Sequence, residues 1–174
     1  MTIHSEHPFA DPEPDDVRRL RGRIGGAVTL WTAGEGRDRA GLTVTSVMVA
    51  NGEQPQVLAL LDPDSDLREA LDGPGARCVV QTLTWGDRAL AEMFAGTAPA
   101  PGGAFAHAEW EQTEYGPLLQ GAPAWAGVTL ADERPVGWSV LVTCRIDELH
   151  VGDETEPALG HRRGRFLPLG SDRA

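Results

Sequence analysis

The sequence predicts a mainly β domain: a closed barrel of about six antiparallel strands with two or three short helices. Three observations predict it. Runs rich in Val, Thr and Leu recur at short spacing, and such residues suit a pleated, half-buried surface. The chain holds 21 glycines and 13 prolines in 174 residues, so turns are frequent. Helical periodicity is confined to a few short stretches. Many short strands in hairpin order would leave edges exposed unless the sheet closes on itself.

Residues 1–14 carry Pro8, Pro12 and Pro14 without periodicity and read as a flexible arm; residues 15–174 read as one domain. Asp15 or Asp16 caps a short helix with a Val17, Leu20, Ile24 stripe, ended by Gly25 and Gly26. A strand follows over 27–32, then a charged, glycine-bearing loop over 34–41. The Val/Thr-rich run 42–50 reads as one strand, 51–55 as a turn and 56–61 as the next strand. Ser65 or Asp66 caps a helix whose apolar face is Leu67, Ala70 and Leu71, with Gly73 and Pro74 as its stop. Residues 77–83 form a short buried strand. A further helix carries Ala89, Leu90, Met93 and Phe94 on one face and stops at Gly96. Residues 97–104 are a surface loop. Residues 105–123 read as irregular, anchored by Trp110, Tyr115 and Leu118. Three strands close the chain, over 125–131, 137–151 and 158–169, the middle one long enough to need a bulge.

Composition removes several classes of function. The net charge is −11, so the chain is a poor candidate to follow a phosphate backbone or lie on an anionic membrane. All 15 basic residues are arginine, which excludes a Schiff-base or nucleophilic lysine. Cys78 and Cys144 sit in apolar runs and read as reduced core residues, without CxxC or clustered His for zinc. The N-terminal residues are polar and acidic, unlike a signal peptide, and no apolar run spans a bilayer; the expected setting is cytoplasmic. GxSxG, HExxH, GxxxxGK[ST] and GxGxxG are all absent. The five histidines, at 4, 7, 107, 150 and 161, show no metal-pair spacing.

Three features remain as candidate chemistry. Gly41-Leu42-Thr43-Val44-Thr45-Ser46 is dense in small hydroxyls, although threonine is also an ordinary strand former. Ser65 opens a helix with Arg68 one turn in, an arrangement open to a phosphate or to plain capping. His161, Arg162, Arg163 and Arg165 form a dense basic cluster. On a single strand His161, Arg163 and Arg165 would share a face. That face could offer bidentate arginine contacts to the pyrophosphate or 2′-phosphate of a nicotinamide cofactor, or simply balance Glu154 and Glu156.

The order of motifs resembles the flavin reductase-like family, FMN-binding split β-barrels that include reductase components of two-component flavin monooxygenases. The resemblance is carried by Gly41-Leu42-Thr43-Val44-Thr45-Ser46, the segment Val49 to Pro55, Ser65, Cys78-Val79-Val80-Gln81-Thr82-Leu83 and Leu90-Ala91-Glu92-Met93-Phe94-Ala95. Trp110, Gly116, Pro117, Leu119, Gly121 and Ala122 continue it, and Pro157 to Phe166 end it, so that it covers about residues 15–169.

The resemblance implies a split β-barrel homodimer with one FMN per protomer near the interface. It implies hydride transfer from NAD(P)H, with electrons passed to free flavin for a partner monooxygenase or to a small acceptor. Thr43, Thr45, Ser46 and Val47 would line the flavin, Ser65 and Arg68 would face its phosphate, and Gln81 would stand near it where the family has Asn. Where the family often has Gly-Asp-His, implicated in nicotinamide binding, this chain has Gly137-Trp138-Ser139. That departure keeps a second reading open: a non-catalytic barrel that binds flavin, deazaflavin or haem without a nicotinamide site.

Overall fold

A computed structural model describes residues 15–170; the arm expected over residues 1–14 lies outside them. In chain order the elements are α1 (Asp16–Ile24), β1 (Gly26–Ala27), β2 (Thr29–Ala33), β3 (Ala40–Val44), β4 (Val47–Ala50), β5 (Gln56–Leu61), α2 (Asp66–Ala70), β6 (Arg77–Thr82), α3 (Arg88–Phe94), β7 (Trp110–Thr113), β8 (Gly116–Leu119), β9 (Ala124–Val136), β10 (Ser139–Val151), β11 (Ala158–Arg162) and β12 (Arg165–Leu169).

Seven strands form the main antiparallel sheet in the order β3-β2-β6-β9-β10-β5-β4. Its two outermost strands, β3 and β4, are consecutive in the chain. The sheet therefore curls until one continuous segment supplies both edges, with a seam at Thr45-Ser46. The expected single strand over 42–50 is thus two strands. The run contains no Gly, Pro or Asn between 42 and 50, so its composition does not announce the break. Ser46 stitches the seam: its hydroxyl donates to the Leu60 carbonyl at 2.8 Å, and the Leu60 N–H donates back to it at 3.2 Å.

Alternate residues of each strand fill the barrel. Trp31, Val44, Val57, Ala59, Leu61, Cys78, Val128, Leu130, Val142 and Cys144 are all buried in one cluster. Leu67 of α2 and Leu71 just after it join them from one mouth, so the short helix acts as a plug. A hydrogen bond with the neighbouring Cys144 thiol, together with burial, pushes the Cys78 thiol well above its ordinary pKa. The outer face of β2 is covered by α3, where Leu90, Ala91 and Phe94 pack on Val28 and Leu30. Gly41 belongs to that contact: a Cβ there would come within 2.6 Å of the Phe94 ring.

Three expectations change at the C-terminal half. Residues 105–123, expected to be irregular, contain the β7–β8 hairpin, whose Tyr115 and Leu118 pack on Val79. The strands expected at 125–131 and 137–151 form one long hairpin that turns at Gly137-Trp138, with register shifts at Thr143/Cys144 and Ile146/Glu148 where a bulge was expected. The strand expected over 158–169 is a hairpin too. Arg163 (φ 54°) and Gly164 (φ 75°) turn it, and β1, β11 and β12 make a separate small sheet. Two successive positive φ values match the tight turn that the twist of paired strands favours.

Candidate functional site

The seam is where the fold leaves polar groups uncommitted. The β2–β3 ladder ends at Val44 and the β4–β5 ladder begins at Val47, so Thr45 and Ser46 belong to neither. Their backbone N–H groups donate to no backbone carbonyl among the described residues. Buried or half-buried N–H groups ordinarily find a partner, so such a pair is a ready set of donors for a polar ligand edge. Thr45 and Val47 are half-buried, and Val47 packs on the barrel core. Thr43 is differently placed: its hydroxyl is spent on the Ala91 carbonyl of α3 at 2.8 Å.

Gly26 joins the seam to the basic cluster. It pairs with His161 across the β1–β11 ladder, and a Cβ on it would lie 3.6 Å from the Thr45 carbonyl oxygen. Thr45 and His161 therefore flank the same exposed glycine, which the sequence did not single out. The expected geometry of the cluster is corrected. Arg163 is in the turn, so it shares no strand face with Arg165. Arg165 stands opposite Arg162 in the ladder. His161 packs edge-on against Phe166, ring centroids 5.2 Å apart, and Arg162 donates to the Arg23 carbonyl.

Ser65 and Arg68 lie at the α2 mouth of the barrel, where α2 packs on β2 and β3. With Pro63, Asp64, Glu69 and Val140 they line a cleft of about 480 Å³. Ser65 caps α2, accepting from the Arg68 N–H at 3.3 Å, while its hydroxyl donates to the Asp62 carbonyl. The guanidinium expected to face a phosphate is engaged on protein at its terminal nitrogens: Arg68 Nη2 meets Glu133 Oε1 at 2.6 Å and Nη1 donates to the Leu71 carbonyl at 2.8 Å. The pair is nonetheless half satisfied, because Arg68 Nε and Glu133 Oε2 are buried without a partner. Glu133 stands toward the C-terminal end of β9, inside a polar run that gave no motif to find it by.

Gln81, expected near the flavin, is placed differently. It lies on the outer face of β6, fully buried, and its amide is closed on protein. Its nitrogen donates to Thr32 Oγ1 at 3.0 Å and to the Pro117 carbonyl at 3.4 Å, and its oxygen accepts from the Leu119 N–H at 2.7 Å. This side chain fastens the β8 strand to the barrel and reaches no open surface. Two of its partners, Pro117 and Leu119, come from the stretch whose pairing was not legible.

Among the described residues no helix is long and apolar enough to cross a membrane. Residues 21–170 match the flavin reductase like domain, and the chain belongs to that family. A relative from Methylorubrum extorquens named FMN reductase (NADH) RutF 2 is 31% identical over 164 residues, 91% of this chain and 94% of that protein. The 4-hydroxyphenylacetate 3-monooxygenase reductase component of Thermus thermophilus is 29% identical over 142 residues, 82% of this chain and 88% of that protein. The solved NADH:FAD oxidoreductase SgcE6 of Streptomyces globisporus C-1027 superposes with a TM-score of 0.78 at 23% identity, covering 90% of this chain and 92% of that one. It shares the fold.

Proposed function

We propose that this protein is an NADH-dependent flavin reductase that holds FMN along the seam of its barrel. The family supports the class of reaction, and the uncommitted backbone donors at Thr45 and Ser46 are the observation that carries the location. A flavin needs an apolar wall for its ring and donors at its polar pyrimidine edge. Half-buried Val47 and Thr45 fit the first need and the released N–H groups fit the second. Ser65 and Arg68 would take the phosphate, with Arg68 Nε still open to a partner. The His161–Arg165 turn, reached from the seam across Gly26, would hold the phosphates of the nicotinamide nucleotide.

Bound FMN would supply the hydride acceptor. The chain's own part is to orient the ring and to stabilise negative charge at its pyrimidine edge with fixed N–H dipoles. No titrating side chain is required for that task. The protein would work as a homodimer in the cytoplasm, consistent with two free buried thiols. It would pass reduced flavin to a partner monooxygenase, as the name of the Thermus relative suggests for that protein.

The test is oxidation of NADH under air with FMN added, run beside a spectroscopic FMN titration. Turnover with saturable FMN binding is the expected result. FMN binding without turnover would favour the non-catalytic barrel, a reading motivated by Gly137-Trp138-Ser139 at the β9–β10 tip. A purified protein with a deazaflavin or haem spectrum would replace FMN in the account.

A further inference from the structure

β9 puts an acid where the fold calls for an apolar side chain. Ala126, Val128 and Leu130 alternate along this strand and are buried on the inner face of the barrel. A register shift at Thr143/Cys144 passes over Ala131, after which Glu133 pairs with Val142, itself fully buried in the core. Residues directly opposite across a ladder share a face. Glu133 therefore projects from the inner face, and at the mouth its Oε1 meets Arg68 Nη2 of α2 at 2.6 Å.

For stability alone the pair is a poor choice. Arg68 Nε and Glu133 Oε2 are buried without a partner, and an apolar residue at position 133 would carry no such cost. For handling an oxyanion the pair is well placed. An oxyanion grips a guanidinium by two nitrogens at once, Nε with Nη2 or Nη1 with Nη2. Nη2 belongs to both edges and Glu133 holds it, while the Leu71 carbonyl holds Nη1. Asp64 and Glu69 also line the cleft, so Arg68 is the one cation among the described residues of its lining. A phosphate monoester adds about −1.5 to −2 charges at pH 7. Arg68 and Glu133 keep 21% and 25% of their side-chain surface exposed, which leaves the carboxylate a path to water.

We propose that Glu133 is a built-in competitor for the phosphate of FMN. Carboxylate and phosphate contend for the same nitrogen: an arriving phosphate takes the Nε–Nη2 edge of Arg68, and Glu133 turns out toward water. The exchange replaces one charge-assisted bond by another. The phosphate thus adds less to affinity than it would beside an unopposed arginine. As the phosphate departs, the returning carboxylate gives Arg68 a new partner, which speeds release. Glu133 thereby sets how strongly the protein prefers FMN over riboflavin, which has no phosphate. This rests on the phosphate position proposed above and names the residue that regulates it.

Titrations of FMN and of riboflavin against the full chain and three variants test the competition. Glu133→Gln keeps the side chain's size and an oxygen for Nη2 but removes the charge. It should tighten FMN about tenfold or more, chiefly through slower dissociation in stopped flow. Riboflavin affinity should stay unchanged, which also shows that the variant is folded. Glu133→Asp keeps the charge and draws it back from Arg68 by one methylene. It should tighten FMN by less, and it gives the reading if the Gln variant does not fold. Arg68→Ala checks the position itself and should weaken FMN far more than riboflavin. If that selective loss is seen while the Glu133 variants leave FMN affinity unchanged or weaker, Glu133 only positions Arg68; the competition is overturned and the phosphate site stands. Equal losses of both ligands in Arg68→Ala would remove the phosphate site and the competition with it, leaving the barrel seam to its own test at Thr45.

Discussion

Two polar clusters, one buried on the outer face of the barrel and one half-buried at its mouth, are built on opposite terms. Around Gln81 every side-chain bond is closed: Thr32, Pro117 and Leu119 take up the amide, and the Thr32 hydroxyl also donates to the Pro117 carbonyl. Around Arg68 the pair with Glu133 is short, yet one buried nitrogen and one buried oxygen are left over. A closed network rigidifies the fold, whereas a half-satisfied one has donors and acceptors that can still take a partner. The difference sets the structural Gln81 apart from Arg68, the residue proposed to face the phosphate.

The largest expected effect comes from opening the closed cluster. Gln81→Leu leaves the buried Leu119 N–H without an acceptor and should cost about 2–3 kcal/mol in urea unfolding, near the upper end for a stranded buried donor. FMN affinity per folded molecule should not change. A Gln81 variant that folds normally but loses FMN would put the residue back at the cofactor.

Changes at the open cluster should divide between stability and binding. Arg68→Ala strips Glu133 of its partner, and because the two side chains are 21% and 25% exposed the loss should be modest, about 1 kcal/mol. A charge-assisted bond to phosphate contributes about 1.5–3 kcal/mol, so FMN should bind about 10–100-fold more weakly. Riboflavin, which lacks the phosphate, should lose far less. Equal losses for both ligands in parallel titrations would remove Arg68 from the phosphate site.

These clusters also mark where the sequence could be read. Ser65 as a cap and Leu67 and Leu71 as an apolar face were legible, because helix punctuation and periodicity are local. Gln81 was not, since Pro117 and Leu119 arrive from β8, 36 and 38 residues on, in a stretch without clear alternation. The seam hid for a different reason: a Val/Thr run looks the same whether it forms one stave or hands over between two. The turn at Arg163-Gly164 was masked because arginine rarely takes a positive φ, and the basic cluster then looked like one continuous face.

The smallest effect concerns pH. Burial works against ionisation of Asp147, but hydrogen bonds from Thr129 and Arg145, with the Arg145 charge, hold its carboxyl below the ordinary value. Its stabilisation is complete above the ordinary carboxylate pKa and is lost as pH falls through the lowered one. Asp147→Asn should therefore flatten the acid limb of a stability–pH curve and leave the neutral and alkaline limbs in place.

The central claim is that FMN lies against the barrel seam. Thr45→Arg places a long cation at the break while leaving the ladders on either side intact. A spectroscopic FMN titration of this variant, with circular dichroism confirming a native fold, tests the claim directly. The account predicts that FMN binding is lost while the fold is retained; wild-type affinity in a folded Thr45→Arg chain would contradict it.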